Sequence, residues 1–208
     1  MPGSGGYPYR DRPAGRAVIM PFDATHLVFA HAAAQAADPR LLRPELLAGA
    51  VAPDCVDLAR FLQTARTHLI IRRAARHLRR ISVERDPAAK AFAFGYFSHV
   101  WLDRLVSRWK RPLDSSGRRM SLRAFYTLIA QRDVDEALRL WGALTPAAPL
   151  DARTSRFVDP LTLAGYCAGV ERRLLAIPYL EDDTEAAAIF ASERLQTVAR
   201  QDFARTLG

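Results

Sequence analysis

The histidines and aspartates in the first half of the chain are the residues whose types and spacing could support chemistry. The clearest pattern is Gly95-Tyr-Phe-Ser-His99-Val-Trp-Leu-Asp103, in which a histidine precedes an aspartate by four positions. On a helix this spacing places both side chains on one face. No histidine follows His99, so we expect the first half of the chain to hold any site. The five histidines are His26, His31, His68, His77 and His99.

The helix predicted around this pair is apolar on nearly every side. A helix of this kind is buried, and a buried histidine and aspartate are costly unless they are paired or bound to a metal. Two interpretations stay open: His99 and Asp103 ligate a metal ion, or they only hydrogen-bond to each other. The apolar neighbours are Phe92, Phe94, Tyr96, Val100, Trp101, Leu102 and Leu105.

A second carboxylate follows an apolar segment. Residues 46–54 read LLAGAVAPD, so a short helix is predicted to break at Pro53 and to present Asp54 just beyond it. Asp54 could cap the next helix or act as a ligand. His26 and His68 each follow a threonine, and each alone is typical of a histidine near a helix end.

Taken together, these segments resemble the zinc-dependent phospholipase C family in their order and rough spacing, over about residues 20–110. The matching pieces are Thr25-His26, Gly49-Ala-Val-Ala-Pro-Asp54, Thr67-His68 and the segment from Gly95 to Asp103. The resemblance implies an all-helical domain that holds a cluster of metal ions and hydrolyses a phospholipid phosphodiester.

The resemblance also implies a role for each matching residue. In the family's arrangement two ions lie next to each other. His26 would hold the second of them, and Asp103 would bridge the two. Asp54 is similar to the carboxylate that orients the attacking water, and it is the candidate general base. Imidazole and carboxylate ligands suit zinc, with manganese or iron as alternatives. By the same resemblance, the first ion would be held by Asp54, His68, His99 and Asp103.

One metal site of the family has no counterpart here. The family places another histidine shortly after the HxxxD pair and a later His-xxx-Glu, whereas this chain has Trp109 in the corresponding region and no later histidine. We therefore expect one or two ions per chain, with Trp109 lining a roomier and more apolar side of the site.

We therefore expect a metal-dependent hydrolase that acts on a phosphodiester or a related phosphoester. The substrate would be a small molecule or a lipid headgroup. Two alternatives remain open. The same metal could serve a lyase or cyclase, in dehydration or cyclisation of a small organic substrate. The chain could also be a non-catalytic helical binding module.

Charge adds a candidate substrate-binding surface. The net charge is +8, and six arginines fall between Arg66 and Arg80. Arg72, Arg73 and Arg76 could bind an anionic substrate or a peripheral anionic surface, or simply form a solvated helix face. Nucleic acid is not expected as a partner, because the run lacks interleaved aromatic residues and no nucleic-acid-binding motif is visible.

The elements that must position these residues are predicted to be helical throughout. We expect a flexible leader over 1–19 and a single all-α domain over 20–208, with a buried central helix over about 86–110 that carries the HxxxD pair. No apolar run is long enough to span a membrane and no secretory signal is visible, so a cytoplasmic protein is expected. Further helices are predicted from Asp23 and over 44–51, 66–80, 121–131, 134–143, 160–176 and 183–206.

Replacing Arg72, Arg73 and Arg76 by Glu should weaken binding to anionic vesicles and leave metal content unchanged. The loss should be largest at low salt, because screening removes long-range attraction between exposed charges. Cosedimentation with vesicles at two salt concentrations measures it, and unchanged binding at low salt would assign these arginines to a solvated face.

Overall fold

The computed structural model describes residues 23–55, 86–108, 113, 117–144, 160–177, 197 and 201. The predicted leader (1–19), the predicted arginine-rich helix (66–80) and most of the predicted helix 183–206 lie outside these residues. The predicted site residues His68, Arg72, Arg73, Arg76 and Trp109 lie outside them as well.

The described part of the chain contains six α-helices and no strand beyond one isolated bridge between Leu113 and Arg119. This confirms the all-α prediction. The helices are α1 (Asp23–Ala37), α2 (Pro44–Cys55), α3 (Pro87–Arg108), α4 (Leu122–Ala143), α5 (Pro160–Cys167) and α6 (Val170–Leu175), and a short 3₁₀ helix, Pro39–Leu41, joins α1 to α2. None of these helices is both long and apolar enough to cross a membrane.

Two helices begin where side-chain capping dictates. The Asp86 carboxylate accepts a hydrogen bond from the Ala88 backbone N–H at 2.9 Å, and Pro87 opens α3, as the sequence predicts. The Ser121 hydroxyl accepts one from the Ala124 N–H at 3.1 Å and starts α4. Each cap satisfies an N–H group that the first turn of a helix leaves without an intrahelical partner.

The predicted break at Pro53 is wrong, because α2 continues through Pro53 to Cys55. A proline inside a helix removes the hydrogen bond to the residue four positions earlier, here Gly49. Val51, Ala52 and Pro53 are all buried, and their packing holds the final turn in place. Asp54 therefore lies within the last turn of α2 rather than beyond its end.

Two further boundaries differ from prediction. The helices predicted over 121–131 and 134–143 are one continuous helix, because residues 132 and 133 contain no helix breaker and the buried face continues from Ile129 through Asp133 to Ala137. Conversely, the helix predicted over 160–176 is divided near Gly169, whose N–H donates to the Tyr166 carbonyl at 3.0 Å.

The buried central helix is α3, as predicted. It packs most extensively against α2, and α1 packs against α2, α3 and α4. Phe92, Phe94, Phe97, Leu102 and Val106 of α3 are all buried, so nearly the whole circumference of the helix is covered.

Two glycines allow α2 and α3 to touch along their backbones. A Cβ atom added at Gly49 would collide with the carbonyl oxygen of Phe92, and one added at Gly95 would collide with the carbonyl oxygen of Leu46. In both cases the obstacle is backbone, which cannot rotate away as a side chain can. The contact between these helices therefore requires glycine at both positions.

Gly95→Ala should destabilise the protein by about 3 kcal/mol or more, because overpacking against backbone forces the two helices apart. Gly142→Ala is the matched control: Gly142 lies in α4 with nothing within 4 Å of an added Cβ, so alanine there should be neutral or stabilise the helix by up to about 1 kcal/mol. Urea denaturation followed by circular dichroism measures both, and equal effects would contradict the close backbone contact.

Candidate metal centre

Three helices bring four ionisable side chains together in the core. His26 lies in the second turn of α1, Asp54 lies in the last turn of α2, and His99 and Asp103 lie one turn apart on α3. Both histidine side chains are completely buried, whereas the side chains of Asp54 and Asp103 keep 12% and 21% of their surface exposed. The imidazoles therefore form the floor of the cluster and the carboxylates form its rim.

His99 is oriented by the backbone of α2. Its Nδ1 lies 2.6 Å from the Ala50 carbonyl oxygen, which can only accept, so Nδ1 carries the proton and donates. Its Nε2 then faces Asp54 Oδ1 at 3.6 Å and Asp103 Oδ2 at 3.3 Å. Donation from one ring nitrogen to a backbone carbonyl is typical of histidines whose other nitrogen binds a metal.

His26 stacks on His99. The ring centroids are 3.5 Å apart and the ring planes differ by 8°. His26 Nε2 lies 3.5 Å from Asp103 Oδ1, while the other oxygen of Asp103 faces His99. The Asp103 carboxylate thus bridges the two imidazoles, one oxygen to each ring.

Five polar atoms of this cluster are buried and make no hydrogen bond within the described part of the chain. Each such atom costs about 1–3 kcal/mol when it is left unsatisfied. A shared partner at the centre of the cluster would satisfy several of them at once. The atoms are His26 Nδ1 and Nε2, Asp54 Oδ1, His99 Nε2 and Asp103 Oδ1.

The spacing of these atoms suits a metal ion. His26, Asp54 and His99 each offer a ligand atom, and the three atoms lie within 4.8 Å of one another. Zinc binds nitrogen and oxygen ligands at about 2.0–2.2 Å, so an ion between such atoms can reach all three after small side-chain movements. The residues present therefore fit a metal ion.

Burial and charge shift the proton affinities of the cluster in opposite directions. Burial raises the pKa of Asp54 to about 7, although the positive charge of His99 opposes the shift. Burial works against protonation of His99, yet the charges of Asp54 and Asp103 raise its pKa to about 9. Burial and the charge of His99 lower the pKa of His26. Without a metal, the positive charge at the centre is therefore a proton on His99.

A second cluster, which the sequence did not reveal, adjoins these residues. Asp23, from which the first helix is predicted to start, lies in the first turn of α1, one turn before His26. Its carboxylate accepts hydrogen bonds from the Tyr166 hydroxyl at 3.1 Å and from Arg173 Nε at 2.8 Å. Tyr166 and Arg173 are 143 and 150 residues away in the chain, and no local pattern pairs them with Asp23.

Of the predicted metal ligands, the structure brings His26, Asp54, His99 and Asp103 together. His31 lies elsewhere: it is half-buried, and the charged residues that act on it are Glu136 and Arg139 of α4.

No family model, no curated protein and no solved structure matches this chain.

Zinc binding to the purified protein should tighten as the pH rises from about 6 to about 8. The metal must displace the proton from His99, whose pKa of about 9 keeps it protonated across this range, and below about pH 7 also the proton on Asp54, so affinity should rise at least about tenfold per pH unit. Bound zinc should also raise the melting temperature. Calorimetric titration measures the affinity, and His99→Ala should abolish it. A pH-independent affinity, or an unchanged melting temperature on adding zinc, would contradict a site at His99.

Proposed function

We propose that this protein is a metal-dependent hydrolase of phosphoesters, similar in its site to zinc-dependent phospholipase C. The observation that carries the proposal is the convergence of buried, unsatisfied nitrogen and oxygen atoms from His26, Asp54, His99 and Asp103. Two imidazoles and two carboxylates favour zinc, with manganese or iron as alternatives.

The ring geometry is compatible with one ion or two. The ring centroids of His26 and His99 are 3.5 Å apart, so each imidazole could hold its own ion, or the two could share one ion after small side-chain movements. In sites with two metals the ions lie about 3.5–4 Å apart, a similar separation. Asp54, His99 and Asp103 would hold one ion, and His26 and Asp103 would hold the other. His68 is proposed as a further ligand of the first ion on the resemblance alone.

When bound, such ions lower the pKa of a water ligand and neutralise phosphate oxygens. The chain itself supplies the proton acceptor and the direction of approach. Asp54 lies at the rim, keeps part of its surface exposed, and has an oxygen without a hydrogen bond. A carboxylate at the rim is a group that can accept a proton from an attacking water, so Asp54 is the candidate general base. The buried imidazoles on the opposite side hold the base of the site closed to solvent.

A phosphoester substrate also suits the charge of the chain. The chain has a net charge of +8, and all but two of its 30 basic residues are arginine. Arginine binds phosphate through paired N–H groups. A small molecule or a lipid headgroup would present such a phosphate at the rim of the site.

Asp54→Asn should lower the turnover of a chromogenic phosphodiester by the zinc-loaded protein by about 100-fold or more and leave most of the zinc bound. The amide keeps an oxygen for the metal but cannot accept a proton. Asp135→Asn, at an exposed position on α4, is the matched control and should leave turnover unchanged. Rates are measured with metal content determined in the same samples.

Full activity of the Asp54→Asn variant would exclude Asp54 as the base. A zinc-loaded wild-type protein that hydrolyses neither a phosphodiester nor a phosphomonoester would contradict the hydrolase proposal and favour the lyase or cyclase alternative.

A further inference from the structure

The second cluster, formed by Asp23, Tyr166 and Arg173, holds an arginine in a fixed position. Arg173 Nε donates to Asp23 Oδ2 at 2.8 Å, and Arg173 Nη2 donates to the Tyr166 carbonyl at 3.1 Å. The guanidinium carbon lies 3.6 Å from the centre of the Tyr166 ring, a cation–π contact. Three contacts therefore fix the plane of the guanidinium, so little side-chain entropy remains to be lost when it binds a ligand.

Both carboxylate oxygens of Asp23 accept hydrogen bonds within this cluster. Its two oxygens accept from Tyr166 and Arg173, and only 5% of its side chain is exposed. Arg173, by contrast, keeps 36% of its side chain exposed. The buried carboxylate thus acts as an anchor, and the arginine is the member of the cluster that a ligand in solvent can reach.

The cluster adjoins the rim of the metal centre. Asp23 precedes His26 by one turn on α1, which places both side chains on one side of that helix. α5, which carries Tyr166, packs against α2, which carries Asp54. Burial raises the pKa of the Tyr166 hydroxyl, and the negative charges of Asp23 and Asp54 add to this shift.

An anionic substrate at this rim meets two carboxylates, Asp54 and Asp103, which repel it. A cation held by Asp23, next to the site, offsets that repulsion, and a guanidinium in a fixed plane matches the oxygens of a phosphate. We propose that Arg173 binds the substrate through a phosphate oxygen at the Asp54 side of the site. This inference rests on the proposed function, and it assigns phosphate recognition to a residue outside the segment that resembles the phospholipase family.

Arg173 also connects α6 to α1. Removing Arg173 alone would leave the buried Asp23 carboxylate without its positively charged partner. The test therefore uses a double variant, Asp23→Asn with Arg173→Gln, which removes both charges and leaves amide groups that can hydrogen-bond to each other. Arg173→Lys keeps the positive charge but lacks the planar guanidinium with its paired N–H groups. Arg172→Gln is the matched control, because Arg172 is the neighbouring exposed arginine on the same helix.

Each protein is first titrated with zinc, and the zinc-loaded form is then titrated with inorganic phosphate. All four proteins should bind zinc with equal stoichiometry. Phosphate affinity should fall about tenfold or more in the double variant, fall less in Arg173→Lys, and stay unchanged in Arg172→Gln. The difference between wild type and double variant should shrink at high salt, which a purely structural tie would not produce.

The outcomes separate this inference from the proposal on which it rests. A wild-type protein that binds no zinc overturns the proposed function and this inference together. Equal zinc binding with equal phosphate affinity in wild type and double variant overturns the role of Arg173 alone. An equal loss in Arg172→Gln overturns it as well, since the effect would then reflect general surface charge.

Discussion

The backbone contact between α2 and α3 is the constraint on which the candidate site depends. Gly49 and Gly95 leave no side chain between the helices, and each helix therefore reaches the backbone of the other. One turn beyond Gly95 is His99, whose ring reaches the Ala50 carbonyl at 2.6 Å and faces Asp54 one turn further along α2. A wider spacing between these helices would remove the hydrogen bond that fixes the ring and would separate the imidazole from the carboxylate.

The cluster places charged groups in the apolar core, where they are costly unless they are neutralised. In the metal-free protein the balance is kept by a proton on His99 between two carboxylates, and Asp103 is held ionised with a pKa well below its usual range by that charge, despite its burial. A divalent cation can replace the proton and satisfy the same oxygens. Under the proposed function, the core would have two ways to neutralise its carboxylates, and the choice between them would depend on pH and metal concentration.

Much of the fold could be predicted because it is coded locally. The start of α3 at Asp86-Pro87, its buried character and the shared face of His99 and Asp103 all follow from spacing within one helix. The predicted break at Pro53 failed because burial of the surrounding turn outweighed the lost hydrogen bond, which a sequence window does not show. The close approach at Gly49 and Gly95, and the contacts of Asp23 with Tyr166 and Arg173, depend on packing between distant segments. No local signal encodes them.

The distance along the chain between these parts sets an order of appearance during synthesis. His26, Asp54, His99 and Asp103 all lie on helices that end by Arg108, whereas Arg173 is 65 residues further on. At about 5–20 residues per second, several seconds separate the two on the ribosome. The helices that carry His26, Asp54, His99 and Asp103 are thus synthesised before Arg173, the residue that pairs with Asp23. Under the proposed function, the residues that would hold the metal are therefore synthesised before the arginine that would bind the phosphate.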